Sequence, residues 1–175
     1  MSLSTRVISG LAAAAVVGAG LAGYGIYWAV DKGAPAKNEA TLVVGTTSVT
    51  TPPFCYNDGK PLDEATLNKC VEDGQAATDK KTGQIPRIDV RASDRIGVGV
   101  SKDMADKGWF ALTDGGTSNR ATIANNLTGT TFSGTVQAST VMKSGDLTSV
   151  TVVAQDPKTE EYYAVWFFDL NNKTS

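Results

Sequence analysis

The sequence contains no histidine. That absence excludes a Ser-His-Asp or Cys-His nucleophile system and removes the commonest protein ligand for zinc, haem and copper. No side chain titrates by default between about pH 5 and 8. Catalysis would have to run on carboxylates, Lys or Tyr, and no spacing in the sequence pairs the carboxylates as glycoside hydrolysis requires. The two cysteines are too few and too far apart for a C-x-x-C metal or redox motif. Charge is also sparse: Lys and Arg number 16 against 18 Asp and Glu, a formal net charge of −2, with no basic stripe for nucleic acid and no charged tail. Aromatic residues make up only 7% of the chain. The sequence is therefore read as non-enzymatic, with no cofactor, no metal and no nucleic-acid partner.

What the chain does contain begins with VISGLAAAAVVGAGLAGYGIYWAV, Val7 to Val30, uninterrupted by charge between Arg6 and Asp31. As a helix it would span roughly 36 Å, enough for a hydrocarbon core of about 30 Å. It exceeds the roughly 7–15 apolar residues of a signal peptide. Ala34-Pro35-Ala36 resembles an A-x-A cleavage site but lies beyond the run, and no cysteine follows to accept a lipid; cleavage after Ala36 remains the alternative to a retained anchor. Tyr24, Tyr27 and Trp28 suit a membrane–water interface. Arg6 and the amino terminus, set against a balanced far flank, place residues 1–6 in the cytoplasm and the rest outside.

The run is rich in small residues. Gly10, Ala14, Gly18 and Ala22 repeat at i, i+4, and Ala15, Ala19 and Gly23 form a second row beside them. On a helix these rows make a shallow face that lets another helix backbone approach closely. The bland alternative is simple Ala-rich composition.

Residues 31–40 (DKGAPAKNEA) read as a short polar linker, 41–171 as an extracytoplasmic domain and 172–175 as a tail. Cys55 and Cys70, an even count in an exported domain, predict one disulfide closing a short loop. Within that loop Asp63 to Lys69 reads as a short helix, acidic at its start and basic at its end.

The remainder reads as β: Leu42–Thr51, Ile88–Val90, Ile96–Val100, Trp109–Thr113, Thr135–Val141, Leu147–Gln155 and Glu161–Leu170. Lys143 to Asp146 reads as the hairpin turn joining the fifth and sixth of these. The last strand carries aromatics on both faces, so it is expected to be central or to meet a partner. The predicted architecture is mainly β: one N-terminal transmembrane helix, then an antiparallel immunoglobulin-like β-sandwich. It lacks the Cys…Trp…Cys spacing of true immunoglobulin domains. Gly97 and Gly99 belong to no phosphate loop and are expected where a strand bends or a neighbour packs close. Asp114-Gly115-Gly116 reads as a tight turn. Asp156, Glu160 and Glu161 lack the calcium-loop pattern.

The order of an apolar segment, a Val/Thr strand, an aromatic-Cys after proline, a second Cys, the block RIDVRASDRIGVGVSKDMADKGWFAL and a closing YYAVWFFDL resembles the actinobacterial envelope family called domain of unknown function 2771. The resemblance covers most of Leu42 to Leu170 and implies an envelope location and a β fold, with no reaction attached. Members often carry a lipoprotein or cleaved signal, from which the long helix here departs. Together these readings predict an accessory subunit of an envelope or respiratory membrane complex. Its helix would pack on integral membrane proteins within the lipid bilayer, a cytochrome bc–oxidase assembly being one example by analogy. The alternative is a tethered extracytoplasmic module that binds a cell-wall glycan, a lipid or an exported protein.

The small-residue face generates a direct test. Gly18→Leu should place a branched side chain where two helix backbones meet, and membrane association depends largely on that packing. Val17, which points away from both rows, should tolerate Leu. Co-purification of membrane partners should fall for Gly18→Leu and stay at the wild-type level for Val17→Leu; equal recovery for all three chains would remove the face as an interface.

Overall fold

A computed structural model describes residues 37–80 and 83–173. The predicted membrane helix Val7–Val30, its two small-residue rows and its interfacial Tyr24, Tyr27 and Trp28 lie outside the described residues. Among the described residues, no helix is long and apolar enough to cross a membrane. Lys37–Ser175 forms a compact unit of its own.

The unit is mainly β, and its strands pair almost entirely antiparallel. β1 (Ala40–Val44) and β2 (Thr47–Thr51) form a hairpin around Gly45 and Thr46. Gly45 leads the two-residue turn with φ +57, a value that glycine adopts without strain. The single strand expected over Leu42–Thr51 is therefore two. β5 (Arg95–Val100) pairs with the other edge of β1, and β8 (Val136–Gln137) closes a four-stranded sheet in the order β2-β1-β5-β8. The second sheet runs β3 (Cys55–Tyr56), β10 (Tyr162–Lys173), β9 (Leu147–Gln155), β6 (Trp109–Thr113), β7 (Ala121–Leu127). β4 (Arg87–Arg91) joins it beside β3, parallel to β10.

One core joins the sheets. Alternate residues of β1 (Leu42, Val44), β5 (Ile96, Val98) and β9 (Val150, Val152) meet Trp166, Phe168 and Leu170 of β10. Period-2 alternation puts these side chains on facing surfaces. Both buried indoles find acceptors: Trp166 Nε1–H donates to the Asn38 carbonyl at 3.0 Å, and Trp109 Nε1–H to the Thr130 carbonyl at 2.7 Å. A buried indole without a partner would be costly. The first of these bonds draws Asn38 into the core, and β1 takes in Ala40, where the sequence placed the end of the linker.

Three further expectations are corrected here. The sheet is not wholly antiparallel, because β4 and β10 run parallel. Thr135–Val141 is not the hairpin partner of β9. Val136 and Gln137 pair with β5 in the other sheet, Ala138–Val141 turns into a short helix, and β9 lies between β6 and β10. The short helix expected at Asp63–Lys69 is α1 (Glu64–Asp79), more than twice as long. Asp63 caps it, accepting from the Thr66 N–H at 2.7 Å. Its buried residues Cys70, Gly74 and Ala77 follow helical spacing but are small, so the sequence shows little apolar periodicity beyond Lys69.

The outer face of β10 explains why the helix extends. Val165 and Phe167 point away from the main core, and α1 covers them with Leu62, Phe54 and the Cys55–Cys70 disulfide. Phe54 and Phe167 meet edge to face, centroids 5.3 Å apart. Gly74 lies so close that a Cβ there would fall 2.4 Å from the Phe167 ring; only glycine lets the helix lie this near the sheet. The predicted disulfide forms, linking the edge strand β3 to the middle of α1 with Cα atoms 6.1 Å apart.

Cys55→Ser should release one end of that tie. The closed loop predicts a loss of about 3 kcal/mol in the chain-entropy model, read as a lower denaturation midpoint. A midpoint unchanged from wild type would mean that the hydrophobic contacts alone hold α1.

Candidate functional site

Among the recesses of the described residues, a cleft of about 330 Å³ lies between α1 and the outer face of the second sheet. Strand parity supplies its floor. Ser149 and Thr151 of β9 share the outward face with Val153, and Phe167 does so on β10. One wall is the last two turns of α1, with Gln75, Thr78 and Asp79; the other is Asp114 and Lys143.

That second wall is rigidly built. Asp114 accepts the Ser149 backbone N–H at 2.8 Å and pairs with the Lys143 ammonium at 3.2 Å. Lys143 belongs to a turn held by Asn172 of β10, whose amide donates to the carbonyls of Lys143 and Gly145. Thr148, fully buried, accepts the Lys143 N–H and bonds the Asn172 side-chain oxygen. Gly115 fits against the Val141 carbonyl, where a Cβ would fall within 2.1 Å. Asp114-Gly115-Gly116, read in the sequence as a tight turn, runs alongside Ser149 and Met142 and leads into a turn at residues 116–119, and its aspartate forms the cleft rim.

The helix wall rests on a buried charge. Asp169 has the outward parity of Val165 and Phe167 and no solvent exposure. Its carboxylate accepts from Arg87 Nε at 2.9 Å and from the Thr78 hydroxyl at 3.3 Å. Arg87 also donates to the Thr78 carbonyl at 3.2 Å. One strand residue, one edge residue and the end of α1 are thereby locked together. Burial pushes the Asp169 carboxyl above its ordinary value, against the pull of the Arg87 guanidinium and the Thr78 hydroxyl.

Chemically the cleft offers hydroxyls, a carboxylate–ammonium pair and the Phe167 ring, a combination that orients a small ligand with one apolar face. Ser149 has no histidine to take its proton, since the chain has none. Among the described residues, no group of His, Cys, Asp or Glu could hold a metal ion. Asp156 instead caps its own turn through the Lys158 and Thr159 N–H groups, and Glu161 bonds the Tyr163 hydroxyl at 2.9 Å. Gly97 lies under Phe132 and the Gly134 carbonyl, a contact within the fold. Of the residues singled out in the sequence, the structure brings together Cys55 and Cys70. The cleft residues Gln75, Thr78, Lys143 and Ser149 carried no functional signal in the sequence, because they converge from elements far apart in the chain.

The Asp169 network has a pH signature. Arg87→Ala leaves a buried carboxylate without its counter-charge, which should cost about 3 kcal/mol near pH 7. A raised carboxyl binds its proton more tightly in the folded than in the unfolded chain, so rising pH works against folding at this residue. The deficit relative to wild type should therefore shrink as pH falls toward about 4, where the unfolded carboxyl also protonates. Denaturant titrations of both chains at the two pH values measure it; a deficit independent of pH would show that Arg87 acts through packing alone. No protein-family model, no curated protein and no solved structure matches this chain.

Proposed function

We propose that this protein is a non-enzymatic, membrane-anchored accessory subunit of an envelope or respiratory membrane complex, its β domain outside the cytoplasm. The observation that carries the reading is the Cys55–Cys70 disulfide. Such a bond persists in oxidising compartments, and the uncharged run Val7–Val30 supplies both the route and the anchor. Only residues 31–37 separate that run from Asn38, whose carbonyl the Trp166 indole holds. Fully extended they reach about 25 Å, a short tether. The resemblance to the actinobacterial envelope family called domain of unknown function 2771 points the same way, and integral membrane proteins such as a cytochrome bc–oxidase assembly are the partners it fits. In this reading the domain is a β-sandwich, immunoglobulin-like only in having two sheets around one core.

The cleft under α1 favours a second reading, a tethered binding module for a cell-wall glycan, a lipid or an exported protein. The two readings part on extraction with a mild detergent. An accessory subunit should migrate in a large complex of fixed stoichiometry and bring defined membrane proteins with it. A chain that elutes alone at its own mass, under conditions that preserve known membrane complexes, would overturn the first reading in favour of the second.

A further inference from the structure

The free edges of the two sheets differ in one respect. Exposed strand edges invite pairing with another chain, and proteins blunt them with short strands, bulges or charges. Among the described residues, β3 and β8 are two residues long. The β6–β7 ladder is broken by two register shifts. β4 alternates Arg87, Asp89 and Arg91 along its length. β2 has none of these guards: five residues, TSVTT, without charge or proline, in unbroken register with β1.

The backbone direction at this edge follows from the neighbouring ladder. The Gly45 N–H donates to the Arg95 carbonyl at 2.9 Å. Antiparallel bonding alternates, so Val43 also turns toward β5, while Val44, Leu42 and Ala40 turn toward β2. Their partners there are Thr47, Val49 and Thr51. Ser48 and Thr50 therefore present their N–H and C=O groups outward. Their side chains are exposed, and Val49 packs toward the core.

We propose that β2 pairs with β2 of a second copy of this chain, antiparallel, with Val49 on the two-fold axis. In that register Ser48 of one copy lies opposite Thr50 of the other. Both outward donors and both outward acceptors of each strand are satisfied, as an isologous contact requires. The absence of charge over Thr47–Thr51 removes the repulsion that keeps identical edges apart. Ser and Thr side chains face each other across the new pair, a favourable cross-strand match. The four-stranded sheet then continues through the axis into its copy. This inference does not rest on the anchored-subunit reading, since the register holds for two copies in a membrane or in solution.

Cross-linking of the full chain reads the register directly. On the axis the two residues 49 form a non-hydrogen-bonded pair with Cα atoms about 4.5 Å apart, within disulfide range. Thr47 and its copy are offset by four residues, roughly 13 Å, and out of range. After mild oxidation Val49→Cys should give several-fold more covalent dimer than Thr47→Cys, although Thr47 is the more exposed and would dominate random collisions. Thr50→Pro removes an outward N–H, which an edge strand tolerates, together with the exposed hydroxyl contact from Thr50 to Thr41, and in the Val49→Cys background it should abolish the dimer. If that chain fails to fold, judged by its melting temperature, Ser48→Lys should abolish the dimer by placing charge on the edge. Dimer yields that are equal for Val49→Cys and Thr47→Cys, or that survive both edge variants, would overturn the proposal. So would an adduct of Val49→Cys with a different protein.

Discussion

Strand β10 is bonded along both edges and buried on both faces, and the rest of the unit is arranged around that constraint. A strand in this position cannot carry the usual polar alternate face. Trp166, Phe168 and Leu170 fill the space between the sheets, while Val165 and Phe167 require a second cover that the sheets do not supply. Helix α1 is that cover. Asp169 has the same outward parity, so its charge is buried by geometry, and Arg87 and the Thr78 hydroxyl are its compensation. The twelve-residue length of β10 also lets two strands share one of its edges, β3 antiparallel and β4 parallel.

Because α1 has few large apolar side chains, its attachment is distributed. The disulfide holds its middle, the close approach of Gly74 to Phe167 sets its height above the sheet, and the Asp169 network holds its end. These contacts also border the cleft, which α1 lines from Val71 to Asp79 opposite the Asp114–Lys143 wall. Asp114 and Lys143 on its rim are both partnered and partly exposed.

The strands with strong β-branched or aromatic content were legible in the sequence. Trp109–Thr113 and Arg95–Val100 stand where the alternation places them, and Tyr162–Lys173 is central as its two aromatic faces imply. β7 was not legible, because ATIANNL mixes its apolar residues with asparagines. The second half of α1 was hidden for a different reason: its buried residues are Cys70, Gly74 and Ala77, and the bulk that completes the contact comes from Phe167, far away in the chain.

By itself, the sequence determined the β character of the domain, the disulfide and the absence of histidine chemistry, because each follows from local pattern or residue type. Tertiary structure decided which strands pair, the parallel placement of β4, the burial of Asp169 and the cleft. It also decided that Val136–Gln137 and β9 belong to different sheets although only residues 138–146 separate them in the chain. These features depend on contacts between residues distant in the chain, and no local periodicity encodes which outward face of a strand will find a cover.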